Sequence, residues 1–221
     1  MNSKIRELSK ISYRSWSYNQ TAVVTNFKTS INESCIKQTF TSIGPLALLP
    51  INDRESTMIW SIDDDVSYKF LSMSDEEFTN EVVNKFGEQI GKLEMISKRQ
   101  HFPLHHLSAK TFAKKGVFLV GDSAHHIHPL AGLGLNSGIG DVACLSELIE
   151  SNGLENLEEL ISVYNRKRIP INLGIAASME AFKRGFGQKN IWMKLFRNTA
   201  FNIANKISPL KKKFMELATE L

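Results

Sequence analysis

The stretch that decides the fold is residues 121–141, GDSAHHIHPLAGLGLNSGIGD. It holds five glycines, one proline and three histidines. An apolar run at 117–120 precedes it, and an amphipathic run at 139–149 follows it. Glycine lets a backbone take positive φ or approach a ligand closely. A strand that leads through a glycine-rich loop into a helix therefore predicts a cradle for an anion or a cofactor.

Asp122 follows the predicted strand at its carboxyl end, where open α/β sheets bind ligands. Its carboxylate is suited to accept hydrogen bonds from sugar or ribityl hydroxyls, and the alternative is an aspartate that caps a turn or helix. The next helix is predicted to begin around Ser137–Gly138, with Asp141 in its first turn, where a negative charge fits the helix dipole with or without a ligand. Its free N–H groups and positive dipole end favour a phosphate or a delocalised anion. The apolar stripe that predicts this helix is Ile139, Val142, Leu145 and Ile149.

Two other chemistries are weighed for the same stretch. The H-H-x-H spacing of His125, His126 and His128 lacks a carboxylate at a helical interval, and Pro129 restricts its geometry, so no metal site is predicted. Gly-Asp-Ser also matches a serine hydrolase of the GDSL type, with Ser123 as nucleophile. That arrangement needs a histidine further along the chain, and none lies beyond His128.

The first sixty residues are predicted to form antiparallel sheet. Residues 20–27 are rich in β-formers, with 34–40 as the expected neighbouring strand. Residues 44–50 form an extended apolar segment bounded by prolines. After a turn at 52–55, residues 57–62 return as a strand.

A helix is predicted over 74–91, because Ser74 and Glu77 match a capping box and apolar residues follow at intervals of four. Gly91 would end it. Residues 93–107 predict one or two strands interrupted at Pro103. The histidines of that segment share no metal-ligand spacing and are interpreted as surface or interface residues: His101, His105 and His106.

In the second half of the chain, a turn at 113–116 is predicted to enter the short buried strand 117–120. Helices are predicted over 157–168, where Pro170 would stop the first, and over 171–182. A further amphipathic helix is predicted over 191–207.

The formal net charge of +4 is unevenly distributed over the 221 residues. Residues 181–221 hold nine Lys and Arg against two Glu. On an amphipathic tail that charge favours a membrane surface or an acidic partner over nucleic acid, and the alternative is a solvated basic helix face. The two cysteines, Cys35 and Cys144, are far apart and suggest no disulfide framework. With no apolar leader at the N-terminus, we expect a cytoplasmic protein, peripheral to the inner membrane.

Residues 121–125, 129–136 and 138–141 closely resemble the second flavin-binding motif of class A FAD-dependent aromatic monooxygenases, and most of all the ubiquinone-biosynthesis hydroxylases. Other segments that agree with that family are 18–20, 22–24, 44–50, 60–61, 74–78 and 209–211. The resemblance implies a mixed α+β and α/β chain: an antiparallel substrate-domain sheet, then the C-terminal part of an FAD-binding fold and terminal helices. The implied domains are a substrate-binding sheet domain at 7–109, FAD-binding segments at 1–6 and 110–180, and basic amphipathic helices at 181–221.

The resemblance also implies ligands for individual residues, though it names no catalytic residue. Asp122 should bind the ribityl chain of FAD, and Pro129 should lie beside the isoalloxazine. Backbone N–H groups of 134–136 should face the pyrimidine edge of that ring. The cofactor-binding residues implied in all are Gly121, Asp122, Pro129, Gly132, Gly134, Leu135 and Asn136. The substrate side of the flavin would be lined by Pro45, Leu46, Ala47 and Leu48.

In that family NAD(P)H reduces FAD, and the reduced flavin and O2 hydroxylate an activated aromatic ring. The implied substrate is a prenylated aromatic small molecule, a phenol or quinol, and the implied partners are subunits of a quinone-biosynthesis complex. Two departures are visible. Leu133 stands where the family pattern has Gln, and the G-x-G-x-x-G that holds the ADP half of FAD does not occur. Residues 2–6 resemble the end of the family's internal D-G-x-x-S-x-V-R motif.

Two classes of function therefore stay open. In the first, the chain is a fragment of an FAD- and NAD(P)H-dependent monooxygenase that is active only with its other half. In the second, it is a non-catalytic homologue that binds substrate or partner subunits. We expect the chain alone to bind FAD weakly or not at all and to aggregate, with 117–120 as an exposed sheet edge.

Overall fold

The computed structural model describes residues 3–31, 35–129 and 132–187, with backbone alone for residues 88 and 181–187. The chain forms two compact units. The central unit is Ser17–Leu104, and the terminal unit combines Met1–Trp16 with His105–Leu221. The predicted domain division would group 7–16 and 105–109 with the central segment, whereas their contacts place them in the terminal unit.

The helices and strands, in chain order, are α1 (Lys4–Leu8), β1 (Tyr13–Thr29), β2 (Lys37–Thr41), β3 (Gly44–Asn52), β4 (Glu55–Asp63), α2 (Asp64–Leu71), α3 (Asp75–Phe86), β5 (Leu93–Met95), β6 (Gln100–Ala109), β7 (Ala113–Lys114), β8 (Val117–Phe118), β9 (His125–His126), α4 (Leu133–Asn152) and α5 (Leu157–Gly187). The mixed architecture of antiparallel sheet and later helices is the predicted one.

The central unit is an antiparallel sheet in which β2, β3, β4 and β1 lie side by side in that order. β5 pairs with the last residues of β1. The predicted strands at 20–27, 44–50 and 57–62 are confirmed. The predicted pairing of the second strand with the first is wrong, because a two-residue turn joins Thr41 to Gly44 and closes a hairpin between β2 and β3.

Alternate residues of these strands build the central core. Trp60 is opposite Val23 on one neighbouring strand and Leu46 on the other. Its ring centroid lies 5.0 Å from that of Phe70 on α2 and 6.0 Å from that of Phe78 on α3. The two helices therefore cover the face of the sheet that carries Trp60. α2 was not predicted from the sequence.

The predicted capping box starts α3. Ser74 Oγ accepts the backbone N–H of Glu77 at 3.2 Å, and Glu77 Oε2 accepts the backbone N–H of Ser74 at 2.8 Å. The hydrogen bonds from the Ser74 backbone and hydroxyl lower the pKa of the Glu77 carboxyl. The helix ends at Phe86 rather than at Gly91, because Gly87 takes a φ of 75°.

β6 runs through Pro103, which was predicted to interrupt it, since the fixed φ of proline is compatible with an extended strand. Near the end of β6, His106 is buried, and its ring lies 3.8 Å from that of Trp16 between centroids. Burial lowers the pKa of His106. The surface interpretation is therefore wrong for His106, whereas His101 is exposed.

In the terminal unit, β7 and β8 form a two-residue hairpin. Lys115 and Gly116 have positive φ of 50° and 79°, as a type I′ turn requires. The predicted strand at 117–120 is regular only over Val117–Phe118, and it pairs antiparallel with β7. β9 pairs with the end of β6, with His126 opposite Leu107.

The two long helices differ from the prediction. α4 begins at Leu133, four residues before Ser137, and its predicted apolar stripe is mostly exposed. Its buried residues are Ser137, Asp141 and Leu148. α5 is one helix of 31 residues that contains Pro170, where two helices were predicted. The core residues that hold this unit together are Ile11, Ala109, Phe112, Ala113, Leu119, Ala124, Leu148, Leu160 and Tyr164.

The predicted helix at 191–207 and nearly all of the basic tail lie outside the described residues. Within the described ranges, no helix combines the length and the apolar character needed to cross a bilayer.

Candidate functional site

The glycine-rich stretch begins as a tight turn at Gly121–Ser123. Ser123 Oγ donates to the Val120 carbonyl at 2.7 Å and accepts the Val120 N–H at 3.1 Å. The hydroxyl is thus used inside the turn, which gives no support to Ser123 as a hydrolase nucleophile.

Two glycines allow this turn to lie directly against α4. Gly121 has a φ of 54°, and a Cβ placed on Gly138 would come within 3.2 Å of the Gly121 Cα. Larger residues at either position would separate the two backbones. The turn is therefore held within van der Waals reach of the second turn of the helix.

Asp141 is the centre of a buried network that fixes this arrangement. Its Oδ2 accepts the Gly121 N–H at 2.9 Å and bonds His125 Nε2 at 2.7 Å, while its Oδ1 accepts from Arg168 Nε at 2.7 Å and from Asn172 Nδ2 at 3.4 Å. Burial alone would raise the pKa of the Asp141 carboxyl, but the hydrogen bonds from His125, Arg168 and Gly121 outweigh it and lower the pKa. An ionised carboxylate only accepts, so His125 Nε2 carries the proton.

The predicted role of Asp141 is therefore wrong. It was assigned to the first turn of the helix, where it would balance the dipole. It lies more than two turns into α4 and is fully buried. Its partner is the guanidinium of Arg168 rather than the helix terminus.

Sequence reasoning missed the contributions of α5 to this network. Arg168 Nη2 also donates to the Ser137 carbonyl at 3.1 Å, and Ser137 Oγ donates to Asn172 Oδ1 at 2.6 Å. These bonds lie on both sides of Pro170 and tie α5 to α4 across the proline. The sequence does contain a signal for this contact, which is a helix stripe whose residues are spaced by four and buried: Leu160, Tyr164, Arg168 and Asn172. A charged residue in such a stripe needs a buried partner.

Arg6 of α1 was also missed. Its Nη1 donates to the Ser123 carbonyl at 2.8 Å, and its guanidinium lies 4.4 Å from the centroid of the Tyr13 ring. The side chain is buried. Arg6 therefore joins the start of the chain to the turn at Gly121–Ser123.

The groups predicted to meet a cofactor are exposed beside this buried network. The Asp122 side chain is 79% exposed, with one Oδ2 at 3.4 Å from His126 Nδ1. Pro129 is exposed, and Leu135 is 74% exposed in the first turn of α4. Leu130 and Ala131, between them, lie outside the described residues.

Among the described residues, no side chain caps the N-terminus of α4. Its N-cap residue is Gly132, with a φ of 65°. A Cβ placed on Gly132 or Gly134 would meet no atom of the described residues within 4 Å. The backbone N–H groups of the first turn, which extends through Asn136, have no partner within the helix and carry the positive end of the helix dipole.

These groups fit the flavin that the sequence predicts. An exposed carboxylate can accept hydrogen bonds from ribityl hydroxyls, and an uncapped helix terminus suits the electron-rich pyrimidine edge of the ring. The structure brings Gly121 and Asp122 together on one turn, and Gly132, Gly134 and Leu135 together at one helix end. The ligand of each residue stays a prediction.

The histidines of the loop differ in their surroundings. In the part of the chain that the structure describes, no three His, Cys, Asp or Glu side chains are grouped as metal ligands. His125 is buried and uses Nε2 for Asp141, whereas His126 is half-buried. Among the same residues, His125 Nδ1 has no hydrogen-bond partner.

The predicted substrate-side residues lie on β3 of the central unit. Leu46 and Leu48 are buried in the central core, and Pro45 and Ala47 are half-buried on alternate positions. Their role toward a substrate stays a prediction.

Comparison with known proteins identifies what the chain is similar to. The family model described as FAD binding domain matches residues 2–177. The ubiquinone hydroxylase UbiL of Rhodospirillum rubrum is 31% identical over 221 residues, which cover 98% of this chain and 52% of that protein. The ubiquinone biosynthesis monooxygenase COQ6 of Xenopus tropicalis is 29% identical, over 99% of this chain and 56% of that protein.

The 3-demethoxyubiquinol 3-hydroxylase of Escherichia coli is 26% identical, over 100% of this chain and 57% of that protein. The chain thus spans about half the length of the curated relatives it matches. Among solved structures, the p-nitrophenol 4-monooxygenase PnpA of Pseudomonas putida superposes with a TM-score of 0.76 over 98% of this chain and 57% of that one, at 16% identity. At that identity the match establishes the fold.

Proposed function

The chain belongs to the FAD binding domain family, and we propose that it supplies the ribityl and isoalloxazine side of the flavin site of an aromatic-ring monooxygenase. The observation that carries the proposal is the contrast within residues 121–141. A buried network centred on Asp141 holds the turn and the helix, and the exposed groups beside it are a carboxylate and an uncapped helix N-terminus.

In this proposal Asp122 accepts hydrogen bonds from ribityl hydroxyls, with Gly121 beside it. The first-turn N–H groups of Gly134, Leu135 and Asn136 bind the pyrimidine edge, and Gly132 adds no side chain at that helix end. Pro129 lies along the ring. Bound FAD supplies the redox and oxygen chemistry, whereas these residues bind it, orient it and place a positive dipole end at its edge.

The substrate class is proposed from the relatives. Three of them are described as a ubiquinone hydroxylase, a ubiquinone biosynthesis monooxygenase and a 3-demethoxyubiquinol 3-hydroxylase. We assign this chain to hydroxylation of a prenylated phenol or quinol ring, with NAD(P)H as reductant and Pro45–Leu48 toward the substrate. The basic tail would bring the protein to the membrane surface or to other subunits of a quinone-biosynthesis complex.

A titration of the full chain with FAD tests the proposal. Because this chain carries no G-x-G-x-x-G to hold the ADP half of FAD, we expect weak binding, observed as a saturable quenching of flavin fluorescence. Asp122→Asn should weaken that binding about tenfold, the equivalent of one hydrogen bond to a charged group. Asp53→Asn, which changes an exposed aspartate in a turn of the central unit, is the matched control and should leave binding unchanged.

Two outcomes would contradict the proposal: no saturable quenching up to the solubility limit of FAD, or equal binding by Asp122→Asn and the wild type. Binding of a prenylated phenol by a chain that takes up no flavin would favour the non-catalytic subunit instead. NAD(P)H oxidation stimulated by the phenol, in the flavin-loaded protein, would support the monooxygenase.

A further inference from the structure

Both ends of the turn that carries Asp122 are bonded to the same atom. Asp141 Oδ2 accepts the Gly121 N–H at 2.9 Å on the entry side and His125 Nε2 at 2.7 Å on the exit side. Asp122 lies between those two anchors. The two bonds join the five-residue segment 121–125 to one carboxylate oxygen of α4.

The anchor itself is immobilised. Asp141 Oδ1 is held by Arg168 Nε, and the carboxylate is fully buried. Its position is therefore fixed by α5 as well as by α4, so a shift of the turn must break a charge-assisted hydrogen bond in a low-dielectric site.

His125 is the side chain whose substitution tests this arrangement. Its imidazole is 3% exposed and stacks on Phe112, with ring centroids 5.6 Å apart. Among the described residues its Nδ1 makes no hydrogen bond. Within the part of the chain that the structure describes, the hydrogen bond to Asp141 is therefore the one that the ring makes, and it joins the end of the turn to α4.

We infer that His125 is a positioning residue for the flavin: together with the Gly121 N–H it pins the turn to Asp141 Oδ2 and so fixes the Asp122 carboxylate relative to the α4 N-terminus. The inference rests on the proposed function. A positioning residue acts through Asp122, so its removal should matter only while the Asp122 carboxylate is there to be positioned.

A double-mutant cycle in FAD affinity tests this coupling in the full chain. His125→Leu and Asp122→Asn should each weaken FAD binding about tenfold, and the double variant should be no weaker than the worse single variant. His125→Gln, whose Nε2 can reach the same oxygen, should bind within about twofold of the wild type. His125→Asn keeps the amide but is too short to reach, and should behave like His125→Leu.

Additive effects, giving a double variant about a hundredfold weaker than the wild type, would overturn the inference, as would a His125→Gln that is as weak as His125→Asn. Amide hydrogen exchange without FAD provides the second readout. Gly121 should exchange about tenfold faster in His125→Asn than in His125→Gln, with the Val23 amide of the central core unchanged. Equal Gly121 exchange in the two variants would contradict the pinning.

The exchange measurement also separates the two proposals. The wild-type chain could bind no FAD while the exchange rate of the Gly121 amide still changes with the His125 substitutions. That result would contradict the proposed function. It would also overturn the flavin-positioning role of His125, because the pinned turn would then be a structural feature alone. FAD binding without any response of Gly121 would support the proposed function and overturn the inference about His125.

Discussion

Asp122 and Asp141 stand near the two ends of residues 121–141, and their surroundings are opposite. Asp141 is fully buried, and each of its carboxylate oxygens accepts hydrogen bonds from two donors. Asp122 is 79% exposed, with His126 at 3.4 Å as its recorded ion-pair partner. One carboxylate is committed to the protein, and the other is available to a ligand.

The difference shows how a glycine-rich turn is held in one conformation. Glycines alone would leave the turn many conformations. The buried hydrogen bonds around Asp141 stabilise one of these conformations, and this fixes the positions of the exposed groups on the same turn. Changes to the network should therefore cost folding free energy, whereas changes to Asp122 should cost only ligand binding.

The largest effect is expected for Asp141→Ala. The substitution leaves the Arg168 guanidinium buried without its carboxylate, and breaking such a pair costs about 3–5 kcal/mol of unfolding free energy. Urea unfolding of the full chain measures it. Asp122→Ala is the control and should stay within about 0.5 kcal/mol of the wild type. Similar losses in the two variants would abolish the contrast between the carboxylates.

The contrast should also appear in acid. Because the folded pKa of Asp141 lies below its ordinary 3.8, its stabilising contribution is present above that pH and is lost as the pH falls through the folded pKa. The difference in unfolding free energy between the wild type and Asp141→Asn should be constant near neutral pH and shrink below pH 3.8. The profile of Asp122→Asn should follow that of the wild type. A difference between the wild type and Asp141→Asn that grows as the pH falls would contradict the direction of the Asp141 pKa shift.

A pair of glycine substitutions tests the close approach of turn and helix. Gly138→Ala places a Cβ 3.2 Å from the Gly121 Cα, and such overpacking costs about 1–3 kcal/mol against a gain of about 1 kcal/mol in helix propensity. We expect net destabilisation by about 1 kcal/mol in thermal or urea unfolding. Gly134→Ala faces open space and should stabilise the apoprotein by less than about 1 kcal/mol, while weakening FAD binding.

A local effect, confined to the turn, is expected at Ser123. Ser123→Ala removes two hydrogen bonds to Val120 that are internal to the turn, and should lower the unfolding free energy by about 1 kcal/mol. Since the hydroxyl is no nucleophile in this account, an esterase assay with a short acyl ester should give the same background rate for Ser123→Ala and the wild type. An ester hydrolysis activity that disappears in Ser123→Ala would contradict the assignment.

Local signals in the sequence were sufficient where the structure depends on neighbours along the chain. Ser74 and Glu77 form their capping box within one turn, and the strands of the central sheet show their β-formers directly. Strand pairing was less accessible. The hairpin between β2 and β3 depends on a two-residue turn with no glycine at its centre, so its signal was weak.

The errors near the site share one cause, which is tertiary contact overruling a local rule. Pro170 is a helix breaker by itself, yet α5 continues through it because Arg168 and Asn172 are bonded to α4 on either side. Asp141 was assigned to a helix dipole because its partner lies 27 residues further along the chain. The flavin motif indicated the exposed residues of the proposed site, whereas it carried no signal for the contacts that α5 makes with Asp141.

Backbone amide chemical shifts of the full, isotope-labelled chain during an FAD titration test the central claim most directly. We expect shifts at Gly121, Asp122, Gly134, Leu135 and Asn136, with the Val23 and Trp60 amide signals of the central core unchanged. Shifts that avoid residues 121–136, or that centre on the core of the central unit, would contradict it.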